Sequence, residues 1–135
     1  MIICGFPGVG KSTMARASRW IDLESTPFQK DFETYARVAK HMSDNGYNVM
    51  VSTHTELLDQ FEKIGVPYTV VVPPLEEKIE YRKRYNARGN PCQFIEYVTE
   101  NWDQWIGNIV NHKSELRTVV VLPIGGGIST EEIFK

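Results

Sequence analysis

Apolar residues fall along this chain in two patterns: short continuous runs, and longer stretches in which they recur every three or four positions. Short continuous runs are typical of strands buried on both faces, which occur in parallel sheets covered by helices. The sequence predicts five strands, at residues 1–5, 19–24, 47–52, 68–72 and 118–122.

Stretches with helical spacing alternate with these strands. One predicted helix, at residues 31–43, has an apolar stripe of Phe32, Tyr35, Val38, Ala39 and Met42. Further helices are predicted at residues 11–18, at 55–64 with Thr55 as N-cap, at 75–88 and at 93–112. Glycines that follow these stretches, Gly46, Gly65 and Gly89, mark where three of the helices end.

This alternation of strands and helices predicts an α/β fold, a three-layer sandwich with a five-stranded parallel sheet. A length of 135 residues suits a single domain, residues 1–135. Right-handed crossovers bring the carboxyl ends of parallel strands to one edge, where open α/β sheets bind ligands. We expect Gly5, Asp22 and residues 52–54 to lie at that edge.

Composition and charge narrow the possible functions. The chain has 15 Lys plus Arg and 17 Asp plus Glu, a net charge of -2 that gives no overall attraction to nucleic acid or to anionic membranes. No apolar run approaches the roughly 18 residues of a membrane span, and residues 1–5 lack the features of a signal peptide, so we expect a cytoplasmic location without a membrane partner. Cys4 and Cys92 form neither a closely spaced metal pair nor a disulfide framework.

Gly5, Gly10, Lys11 and Ser12 match the phosphate-loop pattern GxxxxGK[ST], between a predicted strand and a predicted helix. In such a loop backbone N–H groups surround the phosphates, the lysine reaches the β- and γ-phosphates, and the hydroxyl binds Mg²⁺. The residues predicted to bind nucleotide are Gly5, Pro7, Gly8, Val9, Gly10, Lys11, Ser12 and Thr13. The alternative is a glycine turn with an incidental lysine.

With these residues the chain resembles the small P-loop kinases related to adenylate, shikimate, gluconate and polynucleotide kinases. The resemblance is strong at residues 5–13 and elsewhere consists only of the order of elements. It implies a P-loop NTPase fold, ATP as donor, Mg²⁺ as cofactor and phosphoryl transfer to a small acceptor. A nucleoside monophosphate or deoxynucleotide is the leading acceptor.

Asp22 and Glu24, at the end of the second predicted strand, look like the acidic pair that several of these kinases place beside the acceptor. Strand alternation would put both carboxylates on one side. We predict that Asp22 orients or deprotonates the acceptor hydroxyl, or joins Ser12 at the metal, with Glu24 assisting. A helix-capping acid or a solvated strand end would explain the same residues.

At the end of the third strand, where many P-loop enzymes have a magnesium-ordering aspartate, this chain has Ser52, Thr53 and His54. The missing acid disfavours a motor ATPase or a GTPase. These three residues are candidates for acceptor binding. For His54, a capping or solvent-facing role is an open alternative.

The charged helix at residues 75–88 is rich in basic side chains: Lys78, Arg82, Lys83, Arg84 and Arg88. In the kinases it resembles, arginines here belong to a lid over the triphosphate, and we predict a short helical lid at about residues 82–92. Arg84 and Arg88, one turn apart, are the catalytic candidates that would stabilise charge on the transferring group. A solvated helix with internal pairs to Glu76, Glu77 and Glu80 is the alternative.

Several aromatic and glycine residues have two readings. Phe28, Phe32, Tyr35 and Arg37 lie where nucleotide kinases recognise the acceptor, but we prefer a core position for Phe32 and Tyr35. Helical spacing favours core packing over base stacking for a second aromatic and aliphatic set, Phe94, Tyr97, Trp102, Trp105, Ile106 and Ile109. Residues 122–127 would pass the adenine or form a simple turn.

Other functions use the same loop. The alternatives are an ATP-binding or ATP-hydrolysing switch that acts on a protein partner, and a kinase of a small metabolite or of a polynucleotide end. The net charge of -2 makes nucleic acid an unlikely partner. The acidic pair and the basic helix favour a kinase with a small-molecule acceptor.

Overall fold

A computed structural model describes residues 1–10, 20–28 and 30–125. Over these residues the strands are β1 (Ile2–Gly5), β2 (Ile21–Asp22), β3 (Val49–Val51), β4 (Tyr68–Val72) and β5 (Arg117–Val121). The α-helices are α1 (Phe32–Asp44), α2 (Thr55–Ile64), α3 (Lys78–Ala87), α4 (Cys92–Glu100) and α5 (Trp102–Asn111). Short 3-10 turns precede two of them, at Thr26–Phe28 and Leu75–Glu77.

The five strands form one parallel sheet in the order β2-β3-β1-β4-β5, flanked by helices. This confirms the predicted α/β class and five-stranded parallel sheet, and it is consistent with a three-layer sandwich. Strand register places Asp22 beside Met50, and Met50 beside Ile3. The predicted helix at residues 11–18 lies outside the described residues.

The strand order creates a switch point at the carboxyl edge, between β1 and β4. The chain leaves β1 toward β2 at one side of the sheet, and it leaves β4 toward β5 at the other. Open α/β sheets bind ligands where neighbouring connections diverge in this way. The loop that follows Gly5 lies at this point.

Burial follows the continuous apolar runs. Every residue of β1 and β3 is buried, and β4 is buried except at Thr69, because both faces of these inner strands are covered. β5 forms one edge of the sheet and is partly exposed, with Val121 at 49%. Cys4 is a buried residue of β1, and Cys92 is exposed at the first position of α4.

Local capping explains where the first helices begin and end. The Asp31 carboxylate accepts a hydrogen bond from the Thr34 N–H at 3.0 Å and caps α1. Gly65 ends α2 in the left-handed conformation, as predicted. The predicted N-cap of α2 was wrong by one position: Thr55 is the first helical residue and His54 is the cap.

The prediction of one helix at residues 93–112 is wrong, because α4 and α5 meet at Asn101. The Asn101 side-chain amide donates to the Tyr97 carbonyl at 2.8 Å, a local hydrogen bond that competes with helix continuation. Trp102, Ile106 and Ile109 are buried as predicted, whereas Tyr97 is 61% exposed, contrary to its predicted core position. Among the described residues no helix has the length and apolar character needed to cross a bilayer.

Candidate functional site

The glycine loop leaves the sheet at the end of β1. The Phe6 N–H donates to the Val71 carbonyl of β4 at 3.0 Å, so the first residue of the loop stays tied to the sheet. Gly8 and Gly10 have positive φ angles of 89° and 101°, which L-residues rarely adopt. Within the described part of the chain, neither of their N–H groups has an acceptor. A glycine turn at a sheet switch point is a place where successive backbone N–H groups can surround a phosphate.

Helix α3 packs directly against this loop. The Tyr85 hydroxyl donates to the Pro7 carbonyl at 2.7 Å. A Cβ atom added to Gly8 would lie 2.9 Å from Tyr85 Cε1, well inside van der Waals contact. Gly8 is therefore required both by its backbone angle and by the close approach of α3.

Arg84 is the predicted catalytic arginine that the structure brings to the loop. Its Nη1 donates to the Gly8 carbonyl at 3.3 Å, and its guanidinium lies 4.4 Å from the centre of the Tyr81 ring. Both contacts orient the half-buried guanidinium, since a cation is attracted to an aromatic face. Arg88 is exposed at the C-cap of α3, and its side chain has no hydrogen-bond partner among the described residues.

The charged helix is not the freely solvated helix of the alternative reading. Tyr81 and Tyr85 are buried on one face of α3, and no ion pair forms within the described part of α3. The predicted lid at residues 82–92 comprises the end of α3, a turn and the start of α4. Its motion remains a prediction.

Three aromatic side chains, Phe6, Trp102 and Tyr81, pack against one another next to the glycine loop. The Phe6 ring meets Trp102 edge-on at 5.3 Å, and Trp102 contacts the Tyr81 ring at 5.4 Å. Trp102 also donates its indole N–H to the Leu75 carbonyl at 3.1 Å. These contacts confirm the core position predicted for Trp102 and link α5 to the loop.

Burial raises the pKa of both tyrosines that contact Gly8. For Tyr85 desolvation is the main cause, and the nearby charges of Arg88 and Arg84 oppose it. The pKa of Tyr81 is likewise raised by burial, against the charge of Arg84. Both hydroxyls are therefore protonated at neutral pH, and Tyr85 remains a donor to the Pro7 carbonyl.

A cavity of about 490 Å³ lies beside Arg84, between α3 and the turn after β5. Its lining includes Ile124 and Gly125, part of the segment predicted to pass the adenine. Glu77 is buried at its edge: Oε1 accepts a hydrogen bond from the Gly125 N–H, while Oε2 has no partner among the described residues. A hollow of about 620 Å³ beside β5 is lined by another set of residues, which includes Arg117 but none of the glycine loop.

On the other side of the loop, Asp22 ends β2. The strand spans only Ile21–Asp22, so the alternation that was expected to align Glu24 with Asp22 does not extend to Glu24. Asp22 is half-buried, whereas Glu24 is exposed. The prediction of a longer strand with an acidic pair on one side is corrected in this respect, and Asp22 is the stronger candidate.

Tyr35 connects the ends of β2 and β3. Its hydroxyl donates to the Leu23 carbonyl at 2.6 Å and accepts from the Ser52 N–H at 3.1 Å. The preferred core position of Tyr35 is confirmed by its 0% exposure. Phe28 and Phe32 are half-buried around it, with the Phe28 ring stacked on Tyr35 at 4.8 Å.

Two polar residues that follow β3, Ser52 and His54, are hydrogen-bonded to each other. Ser52 is buried, and its hydroxyl lies 2.6 Å from His54 Nδ1. His54 is exposed, and its ring contacts Phe32 at 5.2 Å between centroids. Arg37, which lies in the segment predicted to recognise the acceptor, forms an exposed ion pair with Glu33 at 2.6 Å.

The rest of the predicted nucleotide site cannot be placed. Lys11, Ser12 and Thr13 lie outside the described residues, as do Gly126 and Gly127 of the segment predicted to pass the adenine. Asp22 is thus the one described member of the predicted metal pair. Among the residues that the structure describes, no three His, Cys, Asp or Glu side chains cluster in a way that could hold a metal ion.

Together the described groups form a row along the carboxyl edge. In strand order it runs from Asp22 on β2, through Ser52 after β3, to the glycine loop after β1, with Arg84 beyond. Because neighbouring strands lie about 4.8 Å apart, β2 and β1 are separated by about 10 Å. No family model matches the chain, and no curated protein matches it. The functional argument therefore rests on this geometry and on the loop sequence.

Sequence reasoning missed three residues of this site. A sequence pattern could have identified Tyr81 and Tyr85, because two tyrosines four positions apart in a charged helix share one face. Glu77 carried none, because a buried glutamate cannot be told from its exposed neighbour Glu76 by sequence pattern.

Proposed function

We propose that this protein is a P-loop kinase that transfers the γ-phosphoryl group of ATP to the hydroxyl of a small acceptor. The observation that carries the proposal is the glycine loop at the switch point, with Asp22 on one side and Arg84 on the other. Phosphoryl transfer needs mainly positioning and charge stabilisation, which these groups are suited to provide.

The loop would hold the donor phosphates. Gly8 and Gly10 supply N–H groups, and Lys11 and Ser12 supply the charge and the hydroxyl that the sequence motif implies. Mg²⁺, bound through Ser12, would neutralise charge on the phosphates. The cavity of about 490 Å³ beside Arg84 is large enough for the nucleoside part of the donor.

Arg84 would stabilise charge on the transferring group. One guanidinium nitrogen is used by the Gly8 carbonyl, which leaves further N–H donors of the planar group. Because the Tyr81 ring and the loop orient the guanidinium beforehand, little side-chain entropy is lost when it binds an anion. Arg88 stays a candidate for the same role on a lid.

Asp22 would act on the acceptor. β2 and the loop-bearing β1 are about 10 Å apart with β3 between them, so a small acceptor would lie beyond the carboxyl end of β3, next to Ser52 and His54. This separation favours Asp22 as the group that accepts the proton of the acceptor hydroxyl over Asp22 as a ligand of the donor's metal. A nucleoside monophosphate or deoxynucleotide remains the leading acceptor, by resemblance.

An ATP-to-ADP assay across nucleosides, nucleotides, sugars and shikimate-like acids tests the proposal. We expect one class to stimulate turnover, and Asp22→Asn to reduce that stimulated rate by about 100-fold or more while ATP affinity stays within about twofold. Glu24→Gln is the matched control, because Glu24 is exposed and beyond β2. ATP binding without stimulation by any acceptor would contradict a kinase and favour a switch protein.

A further inference from the structure

The buried Tyr35 hydroxyl links the ends of β2 and β3. These strand ends carry Asp22, Ser52 and His54, the residues proposed to act on the acceptor, which together are called the acceptor half of the site. Tyr35 belongs to α1, yet both of its hydrogen bonds go to backbone groups that follow β2 and β3. The Leu23 carbonyl, which it donates to, belongs to the residue directly after Asp22. The Ser52 N–H, which it accepts from, belongs to the first residue after β3.

The Tyr35 ring has little freedom to move. It is fully buried, with the Phe28 ring stacked on it at 4.8 Å and an interplanar angle of 13°, and the Phe32 ring at 6.5 Å. Asp31 caps the helix one turn earlier. Because the ring is fixed by packing and the helix start by its cap, the hydroxyl has a defined position.

β2 needs this support more than the other strands do. It has two residues and lies at the edge of the sheet, so only β3 pairs with it. Beyond the strand, the Leu23 N–H still donates to the Met50 carbonyl at 2.9 Å. The Tyr35 hydroxyl uses the other backbone group of Leu23, so both polar atoms of this residue are held.

The Tyr35 hydroxyl can donate to the Leu23 carbonyl at neutral pH and well above it. Burial is the main cause that raises the pKa of Tyr35 to about 12, and the negative charge of Asp22 contributes in the same direction. The hydroxyl therefore stays protonated and keeps donating to Leu23.

We propose that Tyr35 is a positioning residue for the acceptor half, whose hydroxyl fixes Asp22 relative to Ser52. The inference rests on the proposed function, because it assigns to Tyr35 the placement of the group that accepts the acceptor's proton. A general base must lie within hydrogen-bond reach of that proton, so a small displacement lowers turnover more than binding.

The chain offers a matched control in Tyr68. Its hydroxyl also has two partners, since it donates to Glu62 Oε2 at 2.6 Å and accepts from Arg117 Nε at 2.8 Å. Tyr68 is buried too, but it is the first residue of β4. It therefore lies at the amino ends of the strands, whereas the candidate site lies at their carboxyl ends. Tyr35→Phe and Tyr68→Phe thus each remove one donated and one accepted hydrogen bond of a buried tyrosine, to neutral backbone groups at Tyr35 and to charged side chains at Tyr68, and they differ in location.

The experiment measures acceptor-dependent turnover, the KM for ATP and the thermal midpoint of both variants. We expect Tyr35→Phe to lower kcat on the order of 10- to 100-fold with the KM for ATP within about twofold, while Tyr68→Phe leaves both nearly unchanged. In the Asp22→Asn background, Tyr35→Phe should add less than about a twofold loss, because the two residues act as a unit. Incorporating 4-aminophenylalanine at position 35, which restores a donor for Leu23, should recover part of kcat.

Other outcomes would overturn either the role of Tyr35 alone or the kinase proposal as a whole. Equal losses in Tyr35→Phe and Tyr68→Phe, or full multiplicative losses in the Asp22→Asn background, would overturn the role of Tyr35 and leave the kinase proposal standing. No acceptor-dependent turnover in the unmodified protein would overturn the kinase proposal, and the inference with it. If Tyr35→Phe does not fold, the 4-aminophenylalanine variant, which donates to Leu23 but accepts poorly from the Ser52 N–H, carries the test: its kcat should lie below that of the unmodified protein, and a loss of the same size in the Asp22→Asn background would overturn the role of Tyr35.

Discussion

The two halves of the carboxyl edge are held in different ways. On the side of β4, α3 contacts the glycine loop itself, through Tyr85 on the Pro7 carbonyl and Arg84 on the Gly8 carbonyl. On the side of β2, Tyr35 contacts the backbone next to Asp22, through the Leu23 carbonyl. The donor half is thus supported at the atoms that would surround the ligand, and the acceptor half one residue away from its carboxylate.

This difference predicts two kinds of response to substitution. In the donor half, a changed side chain within the glycine loop disturbs both the loop proposed to bind phosphates and the packing of α3, so affinity for ATP and stability should fall together. In the acceptor half, a lost hydroxyl should shift Asp22 and lower turnover while the donor still binds. The predictions that follow can break this distinction or refine it.

The largest effect is expected for Gly8→Ala. The new Cβ would lie 2.9 Å from Tyr85 at a φ of 89°, so we expect a loss of about 2–4 kcal/mol in the free energy of unfolding. ATP affinity should fall at least about 10-fold, as measured by calorimetric titration. Gly46→Ala is the control, because Gly46 has the same φ of 89° with no atom within 4 Å, and it should cost only about 1 kcal/mol. Equal costs at both glycines would show that α3 does not hold the loop.

Arg84 should have the next largest effect, on turnover. We expect Arg84→Ala to reduce kcat about 10- to 100-fold, and Arg84→Lys to recover little, because an ammonium cannot reproduce the planar fork that covers Tyr81 and reaches Gly8. Arg82→Ala, on the exposed side of the same helix, is the control and should change kcat by less than about twofold. Arg88→Ala should have a smaller effect than Arg84→Ala unless a lid closes. A larger loss of kcat in Arg88→Ala than in Arg84→Ala would assign the stabilisation of charge on the transferring group to Arg88.

A smaller effect, in the free energy of unfolding, is expected at high pH. Tyrosines of the unfolded chain titrate near pH 10, while burial raises the pKa of Tyr35 to about 12 in the folded protein. Above pH 10 the unfolded state therefore binds fewer protons, and the stabilisation present below pH 10 is lost as the pH approaches 12, by at most about 1.4 kcal/mol per pH unit for this residue. Urea unfolding at pH 8, 10 and 11 should show a shallower decline for Tyr35→Phe than for the unmodified protein. Identical slopes would contradict a buried, protonated hydroxyl at this position.

The fold was predictable where one local pattern determines an element. The continuous apolar runs identified the inner strands, because burial on both faces leaves no polar position in β1 or β3. Glycine marked the end of α2 for a stereochemical reason, the left-handed conformation of Gly65. The helix at residues 93–112 was mispredicted because its apolar spacing continues across Asn101, whose side-chain hydrogen bond is not visible in periodicity.

For the candidate site, the sequence pattern points to the glycine loop directly and to the acceptor side only in part. The spacing of Gly5, Gly10 and Lys11 is a local pattern with a known mechanism. By contrast, the contact of Tyr85 with Pro7 joins residues 78 positions apart, and that of Tyr35 with Ser52 joins residues 17 apart. Such contacts depend on how the helices dock, so sequence pattern identified Tyr35 as a core residue without the role of its hydroxyl.

The central claim is that the glycine loop binds a triphosphate, and calorimetric titration of ATP with Mg²⁺ into the unmodified protein and Lys11→Ala tests it most directly. We predict saturable binding that ADP competes with and adenosine does not, weakened by at least about 30-fold in Lys11→Ala, because that side chain reaches the β- and γ-phosphates. Circular dichroism should show both proteins folded. Absence of binding, or equal affinity in the two proteins, would contradict the claim.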